Sequence, residues 1–134
     1  MSETKSILVV DDEPDAIEYV DAVLSEIDDF KIIPSYDGND GQKKAKSELP
    51  NLIILDVMMP EKDGFKVFYD LQNDPVTKDI PIIMLTGVAD KVGIQFFKKD
   101  MKAFMGKEPV EYIEKPLNPD KLKTAVKKIF GISD

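Results

Sequence analysis

Cysteine and histidine are both absent from this chain of 134 residues. Without cysteine there is no disulfide and no thiol chemistry, and without histidine the commonest general base and the usual zinc ligand are missing. Any metal must then be held by oxygen, which points to Mg²⁺, Ca²⁺ or Mn²⁺. No apolar run approaches the roughly 20 residues that cross a bilayer. The opening MSETKS also lacks the basic start and long apolar centre of a signal peptide. The expectation is a cytoplasmic protein with no membrane contact. Basic charge is scarce too: 18 Lys and Arg stand against 26 Asp and Glu, a net charge of −8. That argues against direct nucleic-acid binding, which relies on clustered cations. With no linker, repeat or low-complexity tract, residues 1–134 are expected to form one domain, long enough to bury a core without staples.

Short apolar runs alternating with helical patterns fill the chain. Leu52 to Leu55 lies between polar Asn51 and acidic Asp56 and reads as a strand buried on both faces of a parallel sheet. Ser6 to Val10, Pro81 to Leu85 and, more briefly, Val110 to Ile113 have the same character. Lys31 to Tyr36 is weaker, because Pro34 cannot donate to a ladder; this strand belongs at a sheet edge. Pro14 suits the first turn of a helix whose Ile17, Val20, Leu24 and Ile27 share one face. Asp37 and Gly38 turn the chain into a polar helix whose few apolar positions include Ala45 and Leu49. Pro60 and the pair Asp63 and Gly64 read as turn chemistry. A helix marked by Phe65, Val67, Phe68 and Leu71 follows and ends ahead of Asn73, Asp74 and Pro75. Val88 to Met105 is predicted helical, weakened by Gly93 and ended by Gly106, with Phe96, Phe97, Phe104 and its methionines as core. Asn118 as N-cap and Pro119 at the first position open a last helix, whose Leu122, Val126 and Ile129 form a stripe up to Gly131. Five alternations of strand and helix predict a parallel sheet covered on both faces, with right-handed crossovers.

In open α/β sheets ligands bind at the carboxyl ends of the strands, and here those ends are polar. Asp11, Asp12 and Glu13 follow the first strand, Asp56 the third, Thr86 and Gly87 the fourth, and Lys115 with Pro116 the fifth. Shared polarity brings Asp11, Asp12, Asp56, Thr86 and Lys115 to one edge. Carboxylates crowded into one cleft repel one another, which raises their pKa values unless a cation sits among them. A hard divalent ion that keeps some waters suits such a cluster, and Mg²⁺ is the expected occupant. Lys115 adds an ammonium and Thr86 a hydroxyl. Metal, ammonium and hydroxyl around one carboxylate are the parts that hold a phosphoryl group during in-line transfer, with Asp56 as nucleophile. Each residue also has a plainer reading: Asp11 or Asp12 as a helix cap, Lys115 as a solvated surface group, Tyr112 as core.

The acid pair Asp11 and Asp12, the stretch DVMMPEKDG from Asp56 to Gly64, Thr86 with Gly87, and Lys115 with Pro116 together resemble the receiver domain of two-component response regulators, of the single-domain, chemotaxis-regulator-like kind. The resemblance runs from Ile7 to Phe130. It implies a flavodoxin-like, doubly wound, five-stranded parallel sheet of order 2-1-3-4-5 with five helices. It also implies that Asp56 accepts phosphate from a sensor histidine kinase or a histidine phosphotransfer protein. Mg²⁺ would be ligated by the side chains of Asp12 and Asp56, by the backbone carbonyl of Met58, and by Asp11 through water. Lys115 would pair with the phosphoryl group, and its bond to Pro116 would be cis. Thr86 would swing toward the phosphoryl oxygen and Tyr112 rotate inward as its partner in switching, changing affinity for an unidentified downstream protein.

Met58, Gly87 and Val88 match positions that flank the phosphoryl group in this family. Met58 and Val88 are apolar and cannot orient an attacking water, so slow self-dephosphorylation is expected. The segment between Thr86 and Lys115 is several residues longer than the family usually has, and the small-residue pair common before the fifth strand is missing from GKEPVEYIEKP. The extra length falls where receivers generally signal. Two other functions compete. A Mg²⁺-dependent phosphohydrolase working through an aspartyl-phosphate would need a cap domain or substrate pocket for which no residues are left over. A phosphate-independent binding module would not need the complete set of acid pair, Asp56, Thr86 and Lys115. The chain is thus expected to be no enzyme beyond assisting its own phosphorylation and dephosphorylation.

Overall fold

The computed structural model describes residues 4–57, 59, 64–87 and 109–133. Strands β1 (Ser6–Val10), β2 (Lys31–Ser35), β3 (Leu52–Asp56), β4 (Ile82–Thr86) and β5 (Glu111–Glu114) form one sheet of order β2-β1-β3-β4-β5. Every neighbouring pair is parallel. The order is the one the resemblance implied, and the strand containing Pro34 takes an edge. Among the described residues the helices are α1 (Pro14–Ser25), α2 (Gly38–Glu48), α3 (Gly64–Gln72) and α4 (Pro119–Phe130). The helix predicted over Val88 to Met105, with Gly93 within it and Gly106 at its end, lies outside the described residues, as do Pro60 and Asp63.

Successive side chains of a strand point to opposite faces, and here both faces are covered. Leu8, Val10, Ile53, Leu55, Ile82 and Met84 pack with Ala45 of α2 and Val67, Phe68 and Leu71 of α3. Ile7, Val9, Leu52, Ile54, Ile83 and Leu85 pack on the other side with Ile17, Val20 and Leu24 of α1 and Leu122 and Val126 of α4. The apolar runs are unbroken for this reason. Each fully buried side chain of this size stabilises the fold by about 1.5–3 kcal/mol relative to exposure.

The element ends differ from expectation in small ways with local causes. β3 continues through Asp56, because the Val57 amide still bonds the Leu85 carbonyl at 3.0 Å. β4 and β5 each run one residue further than expected, to Thr86 and Glu114. α1 stops at Ser25, leaving Ile27 half-buried on the turn beyond it. Leu49, expected on the apolar face of α2, is instead exposed and caps that helix at φ 48° and ψ 60°. Pro50 follows directly and cannot continue a helix, so the chain leaves through a left-handed leucine. The Asp37 carboxylate accepts from the Asp40 amide at 2.8 Å to start α2. Asn118 accepts from the amides of Asp120 and Lys121 at 2.9 and 3.2 Å to start α4. No helix among the described residues is long and apolar enough to cross a membrane.

Candidate functional site

Three carboxylates converge at the carboxyl edge of the sheet. One oxygen each from Asp11, Asp12 and Asp56 lie within 4.8 Å of one another. Asp11 and Asp56 are 1% and 5% exposed, whereas Asp12 faces solvent. The Lys115 ammonium reaches into this group, 3.2 Å from Asp11 Oδ2 and 3.4 Å from Asp56 Oδ1. Burial works to lower its pKa, but the charges of Asp56 and Asp11, with their hydrogen bonds, outweigh burial and hold the ammonium above its ordinary 10.5. Lys115 therefore stays cationic at neutral pH. One positive charge against three carboxylates leaves an excess of negative charge on oxygen donors alone. That donor set fits a hard divalent cation.

The main chain holds these groups in place. The Asp11 amide donates to the Ser35 carbonyl at 2.9 Å, while Asp11 Oδ1 accepts from the Glu13 amide at 3.0 Å. The Lys115 amide donates to the Thr86 carbonyl at 2.6 Å, tying the lysine to the end of β4. The Lys115–Pro116 peptide bond is cis. Thr86 is buried and Gly87, next to it, is half-buried. Tyr112 lies opposite Met84 on β5, half-buried and packed against the side of the core that α2 and α3 cover. Beside Lys115 a cleft of about 410 Å³ opens between the start of α1 and the loop after β5, with Glu13, Ala16, Tyr19, Pro116 and Leu117 in its walls.

Of the residues singled out in the sequence, Asp11, Asp12, Asp56 and Lys115 meet directly, and Thr86 joins through the Lys115 main chain. Met58 and Val88 lie outside the described residues. Sequence reasoning missed Ser35, which is fully buried at the end of β2. Its carbonyl receives the Asp11 amide, and its hydroxyl bonds Asp40 Oδ2 at 2.7 Å. That hydrogen bond, foremost, holds the Asp40 carboxyl below its ordinary 3.8, with Lys44 adding to it and partial burial opposing it. A serine closing an apolar strand just before a capping aspartate was the available signal. Gly64, which the sequence places at the end of a turn, is the first residue of α3.

An open sheet of this strand order, presenting an acid cluster and a lysine at its carboxyl edge, carries polar groups where doubly wound α/β proteins bind their ligands. Residues 7–127 match the response regulator receiver domain, and the chain belongs to that family. The response regulator Rre1 of Synechocystis sp. is 32% identical over 134 residues, which cover 98% of this chain and 54% of that protein. The alkaline phosphatase synthesis transcriptional regulatory protein PhoP of Bacillus subtilis is 35% identical over 130 residues, 97% of this chain and 50% of that protein. The chain thus spans about half the length of the curated relatives it matches. Among solved structures, the chemotaxis protein CheY4 of Vibrio cholerae is similar with a TM-score of 0.78 at 25% identity, over 95% of this chain and 99% of that one. Membership makes the chain a receiver domain of the response-regulator kind.

Proposed function

We propose that Asp56 accepts a phosphoryl group from a phosphohistidine donor, with Mg²⁺ held by Asp11, Asp12, Asp56 and the backbone carbonyl of Met58. The setting of Asp56 carries this reading: it is buried at the end of β3, beside two other carboxylates, with the Lys115 ammonium 3.4 Å from Oδ1. One Asp56 oxygen attacks phosphorus in line. The P–N bond to the donor breaks, its electron pair goes to the imidazole nitrogen, and that nitrogen takes up a proton from solvent. When bound, Mg²⁺ supplies neutralising charge at the phosphoryl oxygens. Lys115 pairs with those oxygens through a charge-assisted hydrogen bond. The Thr86 hydroxyl donates to a phosphoryl oxygen from the end of β4, and Tyr112 carries the change to β5 as its partner in switching. The cleft beside Lys115 admits the donor.

Gly87 flanks the phosphoryl group, as do Met58 and Val88 by their places in the sequence. Neither Met58 nor Val88 can orient water, so the phosphorylated state decays slowly. The chain acts as a single receiver domain in the cytoplasm, assists only its own phosphorylation and dephosphorylation, and alters its affinity for a partner protein. With a net charge of −8 it does not bind nucleic acid itself.

Incubation with acetyl phosphate and Mg²⁺, followed by hydroxylamine, tests the chemistry. The reading expects one bound phosphoryl group that hydroxylamine releases, as for an acyl phosphate, and no turnover of p-nitrophenyl phosphate. Sustained turnover of that ester would favour the phosphohydrolase.

A further inference from the structure

We infer that Gly64 is a positioning residue for Asp56, the empty space at its α-carbon setting where the end of β3 lies; the inference rests on the reading of Asp56 given above. Among the described glycines only Gly131 has a positive φ, so Gly64 is not required for an unusual backbone conformation. It is required for room. A Cβ at Gly64 would overlap the carbonyl oxygen of Asp56 and would stand 2.7 Å from Val57 Cα and 3.0 Å from the Asp56 carbonyl carbon. Gly41, also crowded, faces side chains: the Val10 methyl groups at 2.9 and 3.0 Å and the Ser35 hydroxyl at 3.6 Å. A side chain can yield there; at Gly64 the obstacle is the backbone of the phosphoacceptor itself.

That backbone is held from two sides. The Val57 amide bonds the Leu85 carbonyl of β4 at 3.0 Å, and the Val57 carbonyl accepts from the Gly64 amide at 2.7 Å. Val57, the residue directly after Asp56, is thus clamped between the neighbouring strand and the first turn of α3. Any side chain at position 64 must push α3 away or push Asp56 out of register with Leu85. Either movement re-aims the Asp56 carboxylate relative to Asp11 and Asp12, whose oxygens it approaches within 4.8 Å. Metal ligation and in-line attack both depend on that aim, and a misplacement of about 1 Å is enough to cost roughly 100-fold in rate.

The test compares Gly64→Ala with Leu71→Ala, which truncates a buried side chain further along the same helix and leaves the Asp56 backbone untouched. Two quantities are read for each: the Mg²⁺ dissociation constant by titration calorimetry, and the phosphorylation rate from acetyl phosphate at saturating Mg²⁺. For Gly64→Ala the expected result is Mg²⁺ binding weakened at least about tenfold and phosphorylation slowed about 10- to 100-fold. Leu71→Ala lowers the melting temperature but stays within about twofold of the native protein on both readouts. The inference is overturned if Gly64→Ala keeps both values within about twofold, or if Leu71→Ala loses as much at a matched loss of stability. Should Gly64→Ala unfold in buffer, the comparison is repeated in trimethylamine N-oxide, which strengthens burial. Absence of a folded state even there overturns the positioning role in favour of a purely structural glycine. A native protein that binds Mg²⁺ yet takes no phosphoryl group overturns the phosphoacceptor reading instead, and the Mg²⁺ constants alone then decide on Gly64.

Discussion

Lys115 places one ammonium between two buried carboxylates, 3.2 Å from Asp11 and 3.4 Å from Asp56. Removing it leaves like charges facing each other without a counterion. Because the lysine side chain is 33% exposed, solvent screens part of the loss. Lys115→Ala is expected to lose about 1–2 kcal/mol in urea unfolding without Mg²⁺, less than a fully buried broken pair would. Mg²⁺ should then restore more stability to the variant than to the native protein; equal stability without Mg²⁺ would contradict this. Asp40 gives a pH dependence of known sign. Its folded pKa lies below 3.8, so its contribution is fully present above that value and is lost as pH falls through the folded pKa. Asp40→Asn should be less stable than the native protein at neutral pH, with the gap closing on acidification below about pH 4 in urea melts. A gap that widens toward acid would show the sign to be wrong. At Met58, replacement by Glu supplies a group that can orient water, and the phosphorylated half-life should shorten; an unchanged half-life counts against slow decay by apolar flanking residues.

Leu49 ends α2 in a left-handed conformation at φ 48° while 56% exposed. Left-handed backbone costs a non-glycine residue about 1–2 kcal/mol, and glycine gives back about 0.5–1 kcal/mol through its freer unfolded chain. Leu49→Gly should therefore gain about 0.5–1 kcal/mol, read as a higher urea midpoint with an unchanged slope. A lower midpoint would mean that the leucine makes a contact worth more than its strain. The exit at Leu49 was not legible in the sequence, because an apolar residue at helical spacing reads as part of a buried face. The strands were legible. Parallel strands covered on both faces leave unbroken runs such as Leu52 to Leu55, and Pro34 marks an edge because it has no amide to offer. Strand ends were less so: Asp56 belongs to β3 through the bond from the Val57 amide to Leu85, a partner that only the folded sheet supplies. Gly64 looked like turn chemistry because the reason for its missing side chain, the Asp56 carbonyl, is a contact in space.

The scattered site was legible once the strand order was known, since parallel strands gather their ends at one edge and each end here carries a polar residue. What pattern alone could not supply was geometry: which two carboxylates Lys115 bridges, and that Asp12 is the exposed member of the three. The net charge of −8 also has a consequence for the protein in solution. Duplex DNA should show no band shift with this chain, phosphorylated or not, and a salt-sensitive shift would contradict that expectation. The switch itself is tested by intact mass spectrometry of the native protein and Asp56→Asn, each incubated with acetyl phosphate, with and without Mg²⁺. The expected result is a gain of one phosphoryl group by the native protein, dependent on Mg²⁺ and absent from Asp56→Asn. Equal phosphorylation of Asp56→Asn, or none of a native protein shown to bind Mg²⁺, would contradict Asp56 as the phosphoacceptor.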